Sequence, residues 1–223
     1  MIVAERKPMA EILSFIQGVN RLLVVGCDTC VAVCLAGGAK EVAVISAALR
    51  LALRERTPAL EIIERSVERQ CEEEFNAPLA EDIAKVEAVL SMACGVGVQT
   101  LAEQFPNALI YPALNTKFMG RPEATGLWAE RCLGCGDCVL GRFGGICPIT
   151  RCSKSLLNGP CGGSSNGRCE VDPEHLECAW QLIYDRLSRL GQLERLYTLE
   201  PPKDWRPAHD GGPRRVTRED VRP

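Results

Sequence analysis

Cysteine supplies the chemistry open to this chain. Thirteen cysteines occur in 223 residues, and they fall into two sets. The denser set opens with Cys132-x2-Cys135-x2-Cys138 and continues to Cys147-Pro148. In bacterial ferredoxins C-x2-C-x2-C-x3-C-P places three thiolates on one [4Fe–4S] cube and the fourth on another. Here the last gap is eight residues rather than three. Two-residue gaps still bring three thiolates of one tight loop to three irons of one cube. Gly134 and Gly136 let the backbone approach and donate N–H groups to sulfur. Zinc ribbons also use C-x2-C, but with the second pair well away, so the triple spacing favours a cluster.

The fourth ligand must come from Cys147, Cys152, Cys161, Cys169 or Cys178. One of them completes the first cube and four are left for a second. The wide, uneven gaps suit a four-cysteine zinc almost as well, and partly free thiols are the third reading. Cys161-Gly162-Gly163 has glycines suited to a backbone nest around an anion. Cys178 is expected early in a helix, where the N-terminal dipole favours thiolate.

The sparser set is Cys27-x2-Cys30-x3-Cys34, with Cys71 and Cys94 as distal candidates. A lone C-x2-C would read as a dithiol redox pair on a βαβ unit. A third cysteine at Cys34 and the glycine-flanked Cys94 argue for a third metal centre instead. Four ligands from five leave one spare thiol, either Cys71 or Cys27. Glu72, Glu73 and Glu74 adjoin Cys71 and would raise its pKa.

Other chemistry is sparse. His175 and His209 are the two histidines, and neither sits in a catalytic arrangement. Gly95-x-Gly97 lacks the third glycine of a dinucleotide fingerprint. Trp180 and Tyr184, four apart, are expected to pack rather than to stack on a cofactor. There is no P-loop and no nucleophile motif, so no catalytic residue is expected on this chain.

These cysteines need elements to position them, and residues 1–120 read as a small α/β sheet with helices. Strands are expected at Arg21–Val25, Leu60–Val67, Val86–Ala93 and Ala108–Tyr111, with helices at Ala36–Glu55, Leu79–Lys85 and Gln99–Gln104. Strand–helix alternation implies a parallel sheet, and ligands collect beyond the carboxyl ends of its strands. Cys27, Cys71 and Cys94 follow three of those ends. Residues 121–199 read as a loop-rich, cysteine-dense metal-binding segment followed by a helix. That helix is expected to begin at Asp172-Pro173 and to carry a Leu176–Leu190 stripe. Its preceding loops have too few large apolar residues to order by burial alone. Residues 200–223 read as an extended polar tail, mobile or laid over a partner.

Composition narrows the class. Apolar residues are 46% and charged residues 25%, the mix of a globular chain, and the net charge of −3 gives no sign of nucleic-acid binding. MIVAERKPMAEIL has no signal-peptide h-region. The most apolar run, Val42–Leu53, is too short to span a bilayer and contains Arg50. The expectation is a cytoplasmic, reducing setting in which thiols bind metal rather than pair as disulfides.

Several strings resemble the MetV family, the small iron–sulfur subunit of MetVF-type methylenetetrahydrofolate reductases, also described as a methylenetetrahydrofolate reductase C-terminal-type domain. They are VVGCDTCVAVCLAGG, ERQCEEEF, LSMACGVGVQT, YPALNTKFMG, ERCLGCGDCVLGRFGGICPITRCSKSLLNGPCGG and CAWQLIYDRL. The resemblance runs from Arg21 to Leu196 and leaves the proline-rich tail unmatched. It implies an electron-transfer subunit with two or three [4Fe–4S] clusters, or one zinc in place of a cluster. It also implies a MetF-type flavoprotein partner that carries the FAD and folate sites and reduces methylene- to methyl-tetrahydrofolate. The setting would be the Wood–Ljungdahl pathway of anaerobes, with a larger electron-bifurcating or ferredoxin- or NADH-accepting assembly in some organisms. The alternative is a zinc-stabilised scaffold subunit of the same complex, without electron relay.

Overall fold

The computed structural model describes residues 1–216 and 218–221. The chain forms two compact units, Met1–Ala129 and Glu130–Pro223.

The first unit is α/β. Its elements are β1 (Ile2–Arg6), α1 (Met9–Phe15), β2 (Arg21–Cys27), α2 (Cys30–Val33), α3 (Ala39–Ala52), β3 (Glu61–Val67), α4 (Glu73–Asn76), α5 (Ala80–Ile83), β4 (Ala88–Met92), α6 (Gly95–Gln104), β5 (Ile110–Pro112), β6 (Leu114–Ala124) and β7 (Leu127–Cys132), the last crossing the boundary. A parallel sheet runs β3-β2-β4-β5, and a smaller sheet runs β1-β6-β7 with β1 and β6 antiparallel. β2 is Arg-Leu-Leu-Val-Val-Gly-Cys, apolar throughout after its first residue, because helices cover both faces of the parallel sheet. Leu22 and Val24 join one core with Val42, Ile45 and Leu49 of α3. Leu23 and Val25 point the other way, into a core with Val89, Leu79 and Leu101. This is the parallel sheet expected from the alternating pattern.

The turn from β2 into α3 fixes the sheet edge. Cys27 N–H donates to the Gly37 carbonyl at 2.9 Å. Two carboxylates complete the start of α3: Asp28 accepts from Ala39 N–H at 2.9 Å and Glu41 from Gly38 N–H at 3.0 Å. A Cβ on Gly37 would stand 2.0 Å from the Met92 carbonyl oxygen of β4. Gly37→Ala is therefore expected to destabilise the protein by about 3 kcal/mol, as overpacking against fixed backbone does. Urea denaturation checks it, and an unchanged midpoint would refute it.

Several elements differ from the sequence expectation. β1, α1, β6 and β7 were not expected, and residue 120 lies inside β6. α3 is shorter than Ala36–Glu55, and α6 starts at Gly95 rather than Gln99. Gly97 has a packing role: its Cβ would come within 2.9 Å of Gln70 Cβ.

The second unit has little regular structure: α7 (Pro148–Arg151), α8 (Ala179–Arg189) and short 3₁₀ turns. Its core holds Phe143, Cys178, Trp180, Ile183 and Leu187. The Trp180 ring meets Phe143 edge-on, centroids 5.4 Å apart. α8 starts at Ala179, seven residues after the expected N-cap. Asp172 instead closes a turn, accepting from His175 N–H at 3.1 Å, while its carbonyl accepts from Leu176 N–H at 3.0 Å. Leu176 is thereby exposed, and so is Tyr184, whereas Trp180 packs as expected.

Residues 200–216 are not a free extension. The Glu200 carboxylate pairs with Arg142, and Glu200 exchanges two hydrogen bonds with Asn158. Ala208 is buried. Among the described residues no helix is long and apolar enough to cross a membrane.

Candidate metal centres

All thirteen cysteines are free thiols. Among the described residues no group of three or more His, Cys, Asp or Glu side chains is placed so that it could hold a metal ion. The cysteines are nonetheless gathered by the fold.

In the first unit, parallel strands deliver them to one edge. Cys27 is the last residue of β2, opposite Val67 at the end of β3. Cys71 follows β3 by four residues. Cys94 is the N-cap of α6, two residues past β4. Cys71 is exposed overall, but partial burial of its sulfur raises its pKa first, and the nearby Cys27 and Cys94 sulfurs and Glu72 add to this. The Cys27 and Cys94 thiols, each from a neighbouring strand end, thus stand within electrostatic reach of Cys71.

Cys30 and Cys34 flank α2, as its first residue and its C-cap. Cys30 is half-buried and within electrostatic reach of Cys34, which is buried. The Cys34 sulfur accepts from Ala4 N–H at 3.4 Å and donates to the Val31 and Ala4 carbonyls at 3.4 and 3.6 Å. Burial pushes the Cys34 thiol up. It packs in the core beneath β1.

Gln70 is a residue that sequence reasoning missed. It is fully buried, immediately before Cys71. Its amide donates to the Val25 and Gly26 carbonyls, each at 3.0 Å. Its side-chain oxygen accepts from Ser91 Oγ at 2.6 Å, and its own carbonyl accepts from Asn76 Nδ2 at 2.9 Å. One side chain therefore ties the ends of β2 and β4 to the segment bearing Cys71. A glutamine inside Arg-Gln-Cys-Glu-Glu-Glu reads as solvated, so only its neighbours in space reveal it.

In the second unit the eight cysteines separate into two groups. Cys152, Cys161, Cys169 and Cys178 line one cavity of about 20 Å³, together with Trp180 and the Lys154–Glu170 ion pair. Backbone pairing builds it: Cys169 N–H donates to the Leu176 carbonyl at 3.0 Å and Cys178 N–H to the Gly167 carbonyl at 2.7 Å. A hydrogen bond with Ser153, 3.4 Å away, lowers the Cys169 pKa. Cys178 is the N-cap of α8 and a member of the core. Cysteine sulfur is a soft donor of the kind that zinc and iron–sulfur clusters take.

Cys132, Cys135 and Cys138 lie on the preceding loop, which turns through left-handed glycines at Gly134 (φ 67°) and Gly136 (φ 83°). Gly134 N–H donates to Cys132 Sγ at 3.4 Å. Cys147 caps α7 and accepts from Thr150 N–H at 3.4 Å. N–H donors aimed at sulfur are the contacts that tune a cluster. His175 is exposed on the Asp172 turn, away from these thiols in its hydrogen bonding.

Residues 111–206 match a family model described as methylene-tetrahydrofolate reductase C terminal. The match covers under half the chain but includes all eight cysteines from Cys132 to Cys178. No curated protein and no solved structure matches this chain.

Proposed function

We propose that this chain is an iron–sulfur electron-transfer subunit of a methylenetetrahydrofolate reductase complex, delivering electrons to the flavin of a MetF-type partner. The observation that carries the reading is the four-thiol cavity of Cys152, Cys161, Cys169 and Cys178, inside the stretch that matches a reductase family model. That cavity leaves Cys147 to join Cys132, Cys135 and Cys138 at a second centre. In the first unit Cys27, Cys30, Cys71 and Cys94 form the third set, with Cys34 as the spare thiol rather than Cys27 or Cys71. The basis for this is the commitment of the Cys34 sulfur to Ala4 and Val31.

When bound, [4Fe–4S] centres take up and release electrons singly. The chain's own part is to hold thiolates in place and stabilise their charge. Gly134 and Thr150 do so through N–H···S contacts, and Ser153 does so through its hydroxyl at Cys169.

Anaerobic purification tests this. The expected protein is brown, bleaches with dithionite and contains about eight to twelve irons per chain, from two or three cubes. Cys135→Ser should remove one cube's paramagnetic signal and about four irons. A colourless protein with stoichiometric zinc would replace the relay with a zinc-stabilised scaffold.

A further inference from the structure

The tail after Leu199 reaches back to the Cys132–Cys138 loop and brings two cations to it. Lys203 has a side chain only 2% exposed, and its ammonium pairs at 3.6 Å with the carboxylate of Asp137, whose own side chain is 62% exposed. Its ammonium donates to the Asp137 carbonyl at 2.7 Å, and its side chain lies along the Trp205 ring. The Cys135 thiol donates to that same carbonyl oxygen at 3.6 Å. The ammonium and a candidate ligand sulfur are thus neighbours on one acceptor. Arg214 donates to the Gly134 carbonyl at 2.7 Å and to the Pro207 carbonyl at 2.9 Å. Between these anchors the tail lies so close that a Cβ on Gly136 would meet the Pro207 carbonyl oxygen at 2.4 Å. Glycine is thus demanded at residue 136 twice, by its positive φ and by the tail.

We propose that Lys203 to Arg214 form a cationic strap that holds the Cys132–Cys138 loop in shape and raises the reduction potential of the centre it carries. This rests on reading that loop as the holder of a cluster. A thiolate-ligated centre gains negative charge on reduction. The Lys203 ammonium is buried while its Asp137 partner is open to water, so the carboxylate is the more screened of the two and the ammonium's charge favours the reduced form of a centre beside it. Lys203 and Arg214 are therefore positioning residues.

The test is an anaerobic redox titration of the full chain, followed by electron paramagnetic resonance, with iron counted in every sample. In Lys203→Gln the ratio of reduced to oxidised centre at a fixed potential should fall about tenfold, a downward shift of about 59 mV for one electron. Lys203→Arg should keep the wild-type potential, and Arg214→Gln should move it in the same direction as Lys203→Gln. If Lys203→Gln no longer loads iron while Lys203→Arg does, the charge governs occupancy and the strap stands. Wild-type iron content with an unmoved potential in both neutral variants would overturn it. Failure of the underlying reading is separate: Cys135→Ser would then leave the wild-type spectrum unaltered.

Discussion

On the proposed reading, removal of metal under reducing conditions is expected to unfold residues 130–223 while residues 1–129 stay folded. The first unit has two apolar cores on either side of a parallel sheet; Cys27 and Cys34 are buried members of one, among many aliphatic residues, and the other holds no cysteine. The second unit has one small core, and Cys178 belongs both to that core and to the four-thiol cavity. Loss of metal there disturbs the start of α8 and the contact of Trp180 with Phe143. Metal binding to structural cysteine sites contributes about 10–16 kcal/mol, as large as the whole net stability of an ordinary domain, about 5–15 kcal/mol. Limited proteolysis with mass spectrometry should find cleavage throughout residues 130–223 of the stripped protein and protection before residue 129. The near-ultraviolet circular dichroism of Trp180 should collapse in parallel. A stripped protein that resists protease in the second unit would show that its core suffices without metal.

Gln70→Ala should be the most damaging single substitution near the sheet edge. It removes two donors from the Val25 and Gly26 carbonyls and leaves the buried Ser91 hydroxyl without its acceptor. Each buried polar group left unpaired costs about 1–3 kcal/mol, and the vacated volume adds to it. The expected loss is about 4 kcal/mol by chemical denaturation. The same change frees the segment bearing Cys71, so the metal content of the first unit should fall with it. Asn76→Ala, which removes a single bond to the Gln70 carbonyl, should cost less, about 1–2 kcal/mol. Equal losses from the two variants would refute the central place of Gln70.

The strands of the parallel sheet were legible because burial on both faces leaves nearly unbroken apolar runs, as in Leu22–Val25 and Ala88–Met92. β6 was not legible. It contains Gly120 and Pro122 and is half exposed, so neither alternation nor an apolar run marks it. The Asp172-Pro173 pair misled because the same Asx geometry that caps a helix also closes an isolated turn. The true cap of α8 is Cys178, a residue type without capping preference. The strand pattern placed Cys27, Cys71 and Cys94 just beyond neighbouring strand ends, where the structure has them. It did not separate Cys34 from Cys30, because that depends on β1, whose Ala4 supplies partners to the Cys34 sulfur. Nor did it show the tail folding back, since Lys203 and Arg214 lie in a polar stretch with no periodicity.

The two ways of gathering thiols imply different orders of assembly. Cys27, Cys71 and Cys94 come together only through pairing of β2 with β3 and β4, contacts distant in sequence and slow to form. The first unit must therefore be built before these thiols are neighbours, so the centre proposed there would be filled only after folding. The eight cysteines of the second unit lie within one short stretch and have little else to fold around. On the proposed reading, insertion of metal is itself the folding event for that stretch, and a cell short of iron would accumulate a molecule that is mature in one half and nascent in the other.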